Sequence, residues 1–213
     1  MDDLLNQWDQ SLDQAQLDRL QTNLERRRFL HDSCKAAAGP ALALGLLPSL
    51  ALFSACDKTP QILQAQIINQ EPWTSLAAVQ QIMFPDDGNG PSAADLNATA
   101  YLKFVIDTPD MDKDDRQFIL KGIDWLNQLS TKNTQKLFIE NNTQKRNELI
   151  TQIAKSQSGE RWLSFLLLYM FEALLTDPVY GANPNGIGWD WLEHKPGFPH
   201  PPKNKTYTEL LKK

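Results

Sequence analysis

The chain is poor in cysteine and has almost no clustered positive charge. Two cysteines in 213 residues provide neither a disulfide framework nor a metal-ligand spacing. A c-type haem attached through Cys-x-x-Cys-His is excluded, because that run is absent. No HExxH helix, nucleophile elbow or Gly-rich dinucleotide fingerprint occurs. Acids outnumber bases, 26 to 21, for a formal charge of −5. No basic face is therefore available to neutralise phosphates, and nucleic acid is excluded as a partner. No stretch alternates polar and apolar residues with period two, so no substantial sheet is expected.

The one dense positive patch is "ERRRFL" at 25–30, and it directly precedes the longest apolar run. That run carries no charge from Ala36 to Ala55, a length of the order that crosses a bilayer, for which about 20 residues suffice. Gly39, Pro40, Gly45 and Pro48 break it up, and a proline inside a helix costs roughly 3 kcal/mol or more in water. A basic start, an apolar middle and a small-residue exit together read as an export signal.

Arg26, Arg27, Phe29 and Leu30 fit Arg-Arg-x-Phe-Leu, the core of a twin-arginine signal. Glu25 stands where Ser or Thr is common, and His31 where Lys is common. At the far end, Phe53-Ser54-Ala55-Cys56 resembles a bacterial lipobox, which makes Cys56 the expected lipidated first residue of a processed chain. One acyl chain anchors marginally and two hold stably. The alternative is an uncleaved anchor whose arginines hold its cytoplasmic end. The twin-arginine reading expects the twin-arginine translocase as a partner, membrane attachment through signal or lipid, and a destination at the periplasmic face of a bacterial inner membrane.

Before the arginines, Leu4, Leu5, Trp8, Leu12, Leu20 and Leu24 recur at mostly helical spacing and predict an amphipathic helix. Such a helix either binds a cytoplasmic partner or is a solvated extension. The division expected is an N-terminal extension over 1–25, a signal segment over 26–55, a linker over 56–70, a helical domain over 71–200 and a tail over 201–213.

The body reads as an all-α small helical bundle. Trp73, Leu76, Val79, Ile82 and Met83 form one stripe that ends before Pro85. Ser92 and Asp95 have capping-box spacing ahead of a face formed by Leu96, Ala100 and Phe104. Asp110, Asp112, Asp114 and Asp115 lack the central Gly and terminal Glu of a calcium loop and read instead as a helix start favoured by the helix dipole. Phe118, Ile119, Ile123, Trp125, Leu126 and Leu129 follow. "TQKRNELITQIAKS" is a shorter helix, and "GERWLSFLLLYMFEALLT", apolar nearly all round, is the central one.

After that helix comes "TDPVYGANPNGIGWDWLEHKPGFPHPP", where Gly, Pro and Asn are interleaved with Tyr180, Trp189, Trp191 and Phe198. Rings at this density suit packing, either onto the bundle or against another protein. Asp177, Tyr180, His194 and His200 are the clustered acid–base candidates if the chain is an enzyme in its own right.

In "DPVYGANPNGIGW", the residues Asp177, Pro178, Tyr180, Gly181, Asn183, Gly186, Gly188 and Trp189 resemble the motif of the gluconate 2-dehydrogenase subunit 3 family. Ala182 departs from that family's usual second glycine. "FPDDGNGPSAADLNATAYLKFVI" is similar to a second family segment leading into a helix, and the twin-arginine leader is typical as well. The resemblance implies a non-catalytic small subunit of a membrane-associated sugar or alcohol dehydrogenase, with those eight residues as its partner-binding set. It implies no cofactor in this chain. FAD is expected in a large flavoprotein of the glucose-methanol-choline type, often with a cytochrome c subunit that passes electrons on. The small subunit would carry the export signal and assist the flavoprotein's maturation. The competing reading is a free-standing periplasmic lipoprotein that binds another partner.

Overall fold

A computed structural model describes residues 2–11, 70–197 and 199–206. Arg26, Arg27, Phe29, Leu30, the apolar run and Cys56 lie outside the described residues, as do Phe198 and the last part of the tail. Among the described residues there are seven α-helices and no strand: α1 (Asp2–Ser11), α2 (Trp73–Met83), α3 (Ala98–Asp107), α4 (Lys113–Thr134), α5 (Thr143–Ile153), α6 (Gln157–Leu175) and the short α7 (Ile187–Trp191). The all-α expectation is met.

The organising element is α6, which packs against α1, α2, α3, α4 and α7. Its sequence explains the position: Trp162, Phe165, Leu166, Tyr169, Met170, Ala173 and Leu174 are all buried, and each large apolar side chain removed from water contributes roughly 1.5–3 kcal/mol. None of the described helices is long and apolar enough to cross a membrane.

Helix starts follow local chemistry. The Asp112 carboxylate accepts the Asp114 and Asp115 backbone N–H groups at 2.8 and 3.3 Å, so the acidic run is an N-cap with two acids in the first turn of α4. Asn142 caps α5 by accepting the Lys145 N–H at 2.8 Å. Ser156 caps α6 by accepting the Gly159 N–H at 3.0 Å.

Two expectations about packing are corrected. On α2 the buried face comprises Ser75, Leu76, Val79 and Gln80, while Trp73, Ile82 and Met83 are only half-buried. Polar Gln80 is inside, with its side-chain oxygen accepting the Thr99 hydroxyl of α3 at 2.6 Å. The Ser92–Asp95 box does form, with the Asp95 carboxylate accepting the Ser92 N–H at 2.9 Å and the Ser92 hydroxyl accepting the Asp95 N–H at 3.3 Å. It closes only a single turn, however. Asn97 at φ 54 breaks the chain there, and α3 begins at Ala98. That break rotates the following residues, so Leu102 and Ile106 are buried and Ala100 and Phe104 are half-buried.

Candidate functional site

The site is the segment that folds back over the end of α6. After Leu175, the Asp177 carboxylate accepts the Val179 N–H at 3.0 Å and opens a 3-10 turn over Pro178–Tyr180. Gly181 then reverses the chain at φ 90, a conformation in which only glycine is unstrained.

Asn183 holds the segment in place. It is fully buried and left-handed at φ 49, and each of its hydrogen-bonding groups has a partner. Its backbone N–H donates to the Leu96 carbonyl at 3.0 Å, and its own carbonyl accepts the Gly186 N–H at 2.9 Å. Its side-chain Nδ2 donates to the Thr176 carbonyl at 3.0 Å, and its Oδ1 accepts the Gly188 N–H at 2.7 Å. One side chain thus ties the end of α6 to the start of α7, while its backbone reaches the turn before α3. A satisfied buried amide of this kind fixes a single arrangement of the chain.

The glycines serve the same packing. Gly188 lies so close to α6 that a Cβ there would collide with the Leu174 carbonyl, and Gly186, at φ 75, sits beneath the Trp189 ring. Trp189 in turn donates its indole N–H to the Leu175 carbonyl at 2.9 Å, occupying a helix-end acceptor that has no partner within α6. Ala182 is buried with Ala93, Leu96, Met170, Ala173 and Leu174. Its φ is not among the positive ones, so a methyl group is accommodated.

The outer face of the segment carries its titratable groups. His200 Nδ1 lies 2.6 Å from Asp177 Oδ2, and the imidazole stacks on the Trp189 ring at 5.8 Å and 22°. The His194 ring approaches the same indole at 6.4 Å. Tyr180 instead faces Phe104 of α3 at 6.0 Å, and Phe104 meets Tyr101 at 6.2 Å. Nearby on the outer side of α6, Phe171 and Leu175 are 47% and 49% exposed and stand four residues apart, on one face of the helix.

Of the eight residues nominated from the motif, Asn183, Gly186 and Gly188 are buried, and Asp177, Pro178, Tyr180, Gly181 and Trp189 are half-buried. The motif therefore builds a platform, and its outer surface is what a partner can reach. Of the acid–base candidates, Asp177 and His200 come together, whereas Tyr180 turns to the aromatic row on α3. An Asp–His pair needs a nucleophile within reach of the imidazole before it can transfer an acyl group. The described contacts of this imidazole are a carboxylate and an indole face.

Sequence reasoning did not find that the backbone carbonyls of Leu96, Leu175 and Thr176 hold the segment in place. The one available signal was Asn97, an Asn of the kind that enters the left-handed region readily.

No curated protein and no solved structure matches the chain. The sequence profile described as gluconate 2-dehydrogenase subunit 3 matches residues 70–197, the helices α2 to α7 together with the platform just described. The chain belongs to the gluconate 2-dehydrogenase subunit 3 family.

Proposed function

We propose that the chain is the non-catalytic small subunit of a membrane-associated sugar or alcohol dehydrogenase, and that it carries the export signal for the FAD-containing large subunit and assists that subunit's maturation. The family match over residues 70–197 is the observation that carries the reading. The geometry supports it. Glycine pairs often cradle a cofactor's phosphates, but here a Cβ at Gly186 or Gly188 would meet Trp189 or the Leu174 carbonyl. In this reading these glycines serve packing and the flavin belongs to the partner.

The twin-arginine route carries folded cargo. A small helical bundle with no cofactor motif gains little from it, whereas a folded, flavin-loaded companion without its own signal needs it. Arg26 and Arg27 would then direct two proteins to the periplasmic face. The platform's outer side, with Trp189, the Asp177–His200 pair and the exposed Phe171 and Leu175, is the surface that would meet the flavoprotein.

The test is export of the partner. In cells carrying Arg26→Lys/Arg27→Lys, the flavoprotein should remain in the cytoplasm, and its normal arrival in the periplasm would rule out escorting. The wild-type chain solubilised gently from membranes should bring flavin absorbance with it. An intact mass beginning at Cys56 plus acyl chains would establish lipidation, whereas a mass that includes residues 1–55 would end that part of the reading.

A further inference from the structure

The N-terminal helix is built into the domain. Trp8 of α1 is 2% exposed, stacked parallel to Trp125 of α4 at 6.0 Å and 4° and edge-on to Trp162 of α6 at 6.2 Å and 62°. One residue on, the Asp9 carboxylate accepts the Ser158 backbone N–H at 2.7 Å, capping the start of α6 from 149 residues away in sequence. The floor beneath is fixed independently of α1, because Trp162 donates its indole N–H to the Ile119 carbonyl at 3.0 Å and lies against Gly122.

Trp8 and Asp9 together dock α1 onto α4 and α6. The cleft recognises it at two points, an indole slot and a backbone donor. Other contacts hold these elements as well. Ser156 caps α6 locally through Gly159, and the cluster around Leu96, Met170 and Leu174 includes no residue of α1.

We propose that the cleft between α4 and the start of α6 is a docking site for an amphipathic helix bearing Trp followed by Asp, filled in cis by residues 2–11, and that α1 can leave it while the bundle stays folded. Residues 26–55 lie between α1 and the body of the domain. A chain cut at Cys56 loses α1, and a chain whose apolar run crosses a membrane carries α1 and the domain to opposite sides. Either event opens the Trp125–Trp162 slot. Only this trigger rests on the export reading; the site itself does not.

The experiment is a titration of the purified full-length chain with a fluorescently labelled peptide, MDDLLNQWDQSL. The tethered helix competes at high effective concentration, so binding to the wild type should be weak. A full-length Trp8→Ala/Asp9→Ala variant should bind the peptide at least tenfold more tightly, and adding Trp125→Ala should abolish the gain. Equal affinity for wild type and variant would overturn the proposal, as would no binding to a variant whose helical circular dichroism equals that of the wild type. If the double variant fails to fold, Asp9→Ala alone decides by hydrogen exchange. The Ser158 amide should exchange at least tenfold faster while the α4 amides stay protected, and uniform acceleration across the bundle would show α1 to be inseparable from it.

Discussion

The Asn183 side-chain oxygen accepts the Gly188 backbone N–H at 2.7 Å, inside a residue with no solvent exposure. The same amide donates to the part-buried Thr176 carbonyl, so truncating it removes that bond and leaves the buried Gly188 N–H unpaired, the latter costing about 1–3 kcal/mol. Alanine at φ 49 adds roughly 1–2 kcal/mol of left-handed strain. Asn183→Ala should therefore lower unfolding stability by about 3 kcal/mol or more in urea titration. Asn183→Gly, which relieves the strain but not the lost bonds, should be the milder of the two.

A second prediction concerns the contact between α4 and α6. A Cβ at Gly122 would collide with the Trp162 indole nitrogen, which is held by its bond to the Ile119 carbonyl. Overpacking of this kind costs about 1–3 kcal/mol. Gly122→Ala should lower the urea midpoint accordingly. Combined with Trp162→Phe, it should cost less than the sum of the two single changes, since the smaller ring leaves room for the methyl.

The sequence reading was most successful where a signal and its partner lie close together. The Asp112–Asp115 run caps the helix it precedes, and the Ser92–Asp95 box forms with the expected partners. The apolar run at 162–174 is the centre of the bundle. It was least successful where the partner is distant or is main chain. The leucine and tryptophan spacing at the N-terminus indicates a stripe, but nothing local says that Trp8 finds Trp125 and Trp162 or that Asp9 finds Ser158. The eight motif residues were recognisable as a set, yet which of them face inward depends on the Leu174, Thr176 and Leu96 carbonyls, and a backbone oxygen leaves no mark on residue identity. The α3 face was misplaced for a related reason, because one left-handed residue at Asn97 resets the helical phase of everything after it.

The exposed pair on α6 separates folding from assembly. Phe171 and Leu175 are about half exposed, so exchanging both for serine should leave stability within about 0.5 kcal/mol per site. If the platform's outer side meets the flavoprotein, the same variant should recover much less flavin on gentle solubilisation from membranes. Full recovery would place the partner on another face of the bundle.

Acid titration tests the Ser92–Asp95 turn. The Ser92 hydroxyl and backbone N–H both donate to the Asp95 carboxylate, at 2.7 and 2.9 Å, and these bonds hold its pKa below the ordinary aspartate value. A carboxylate whose pKa is depressed on folding adds stability that is fully present above its unfolded pKa, near about 3.9, and is lost as pH falls through the lower folded value. Asp95→Asn keeps an acceptor of the same shape but removes the charge, so the comparison isolates the ionised form. Wild type should be the more stable of the two at pH 6, and the difference should shrink once the pH drops below about 4. Urea titrations of both chains between pH 6 and pH 3 measure that gap directly, and a gap that stays constant across the range would mean that the carboxylate's charge takes no part in holding the turn.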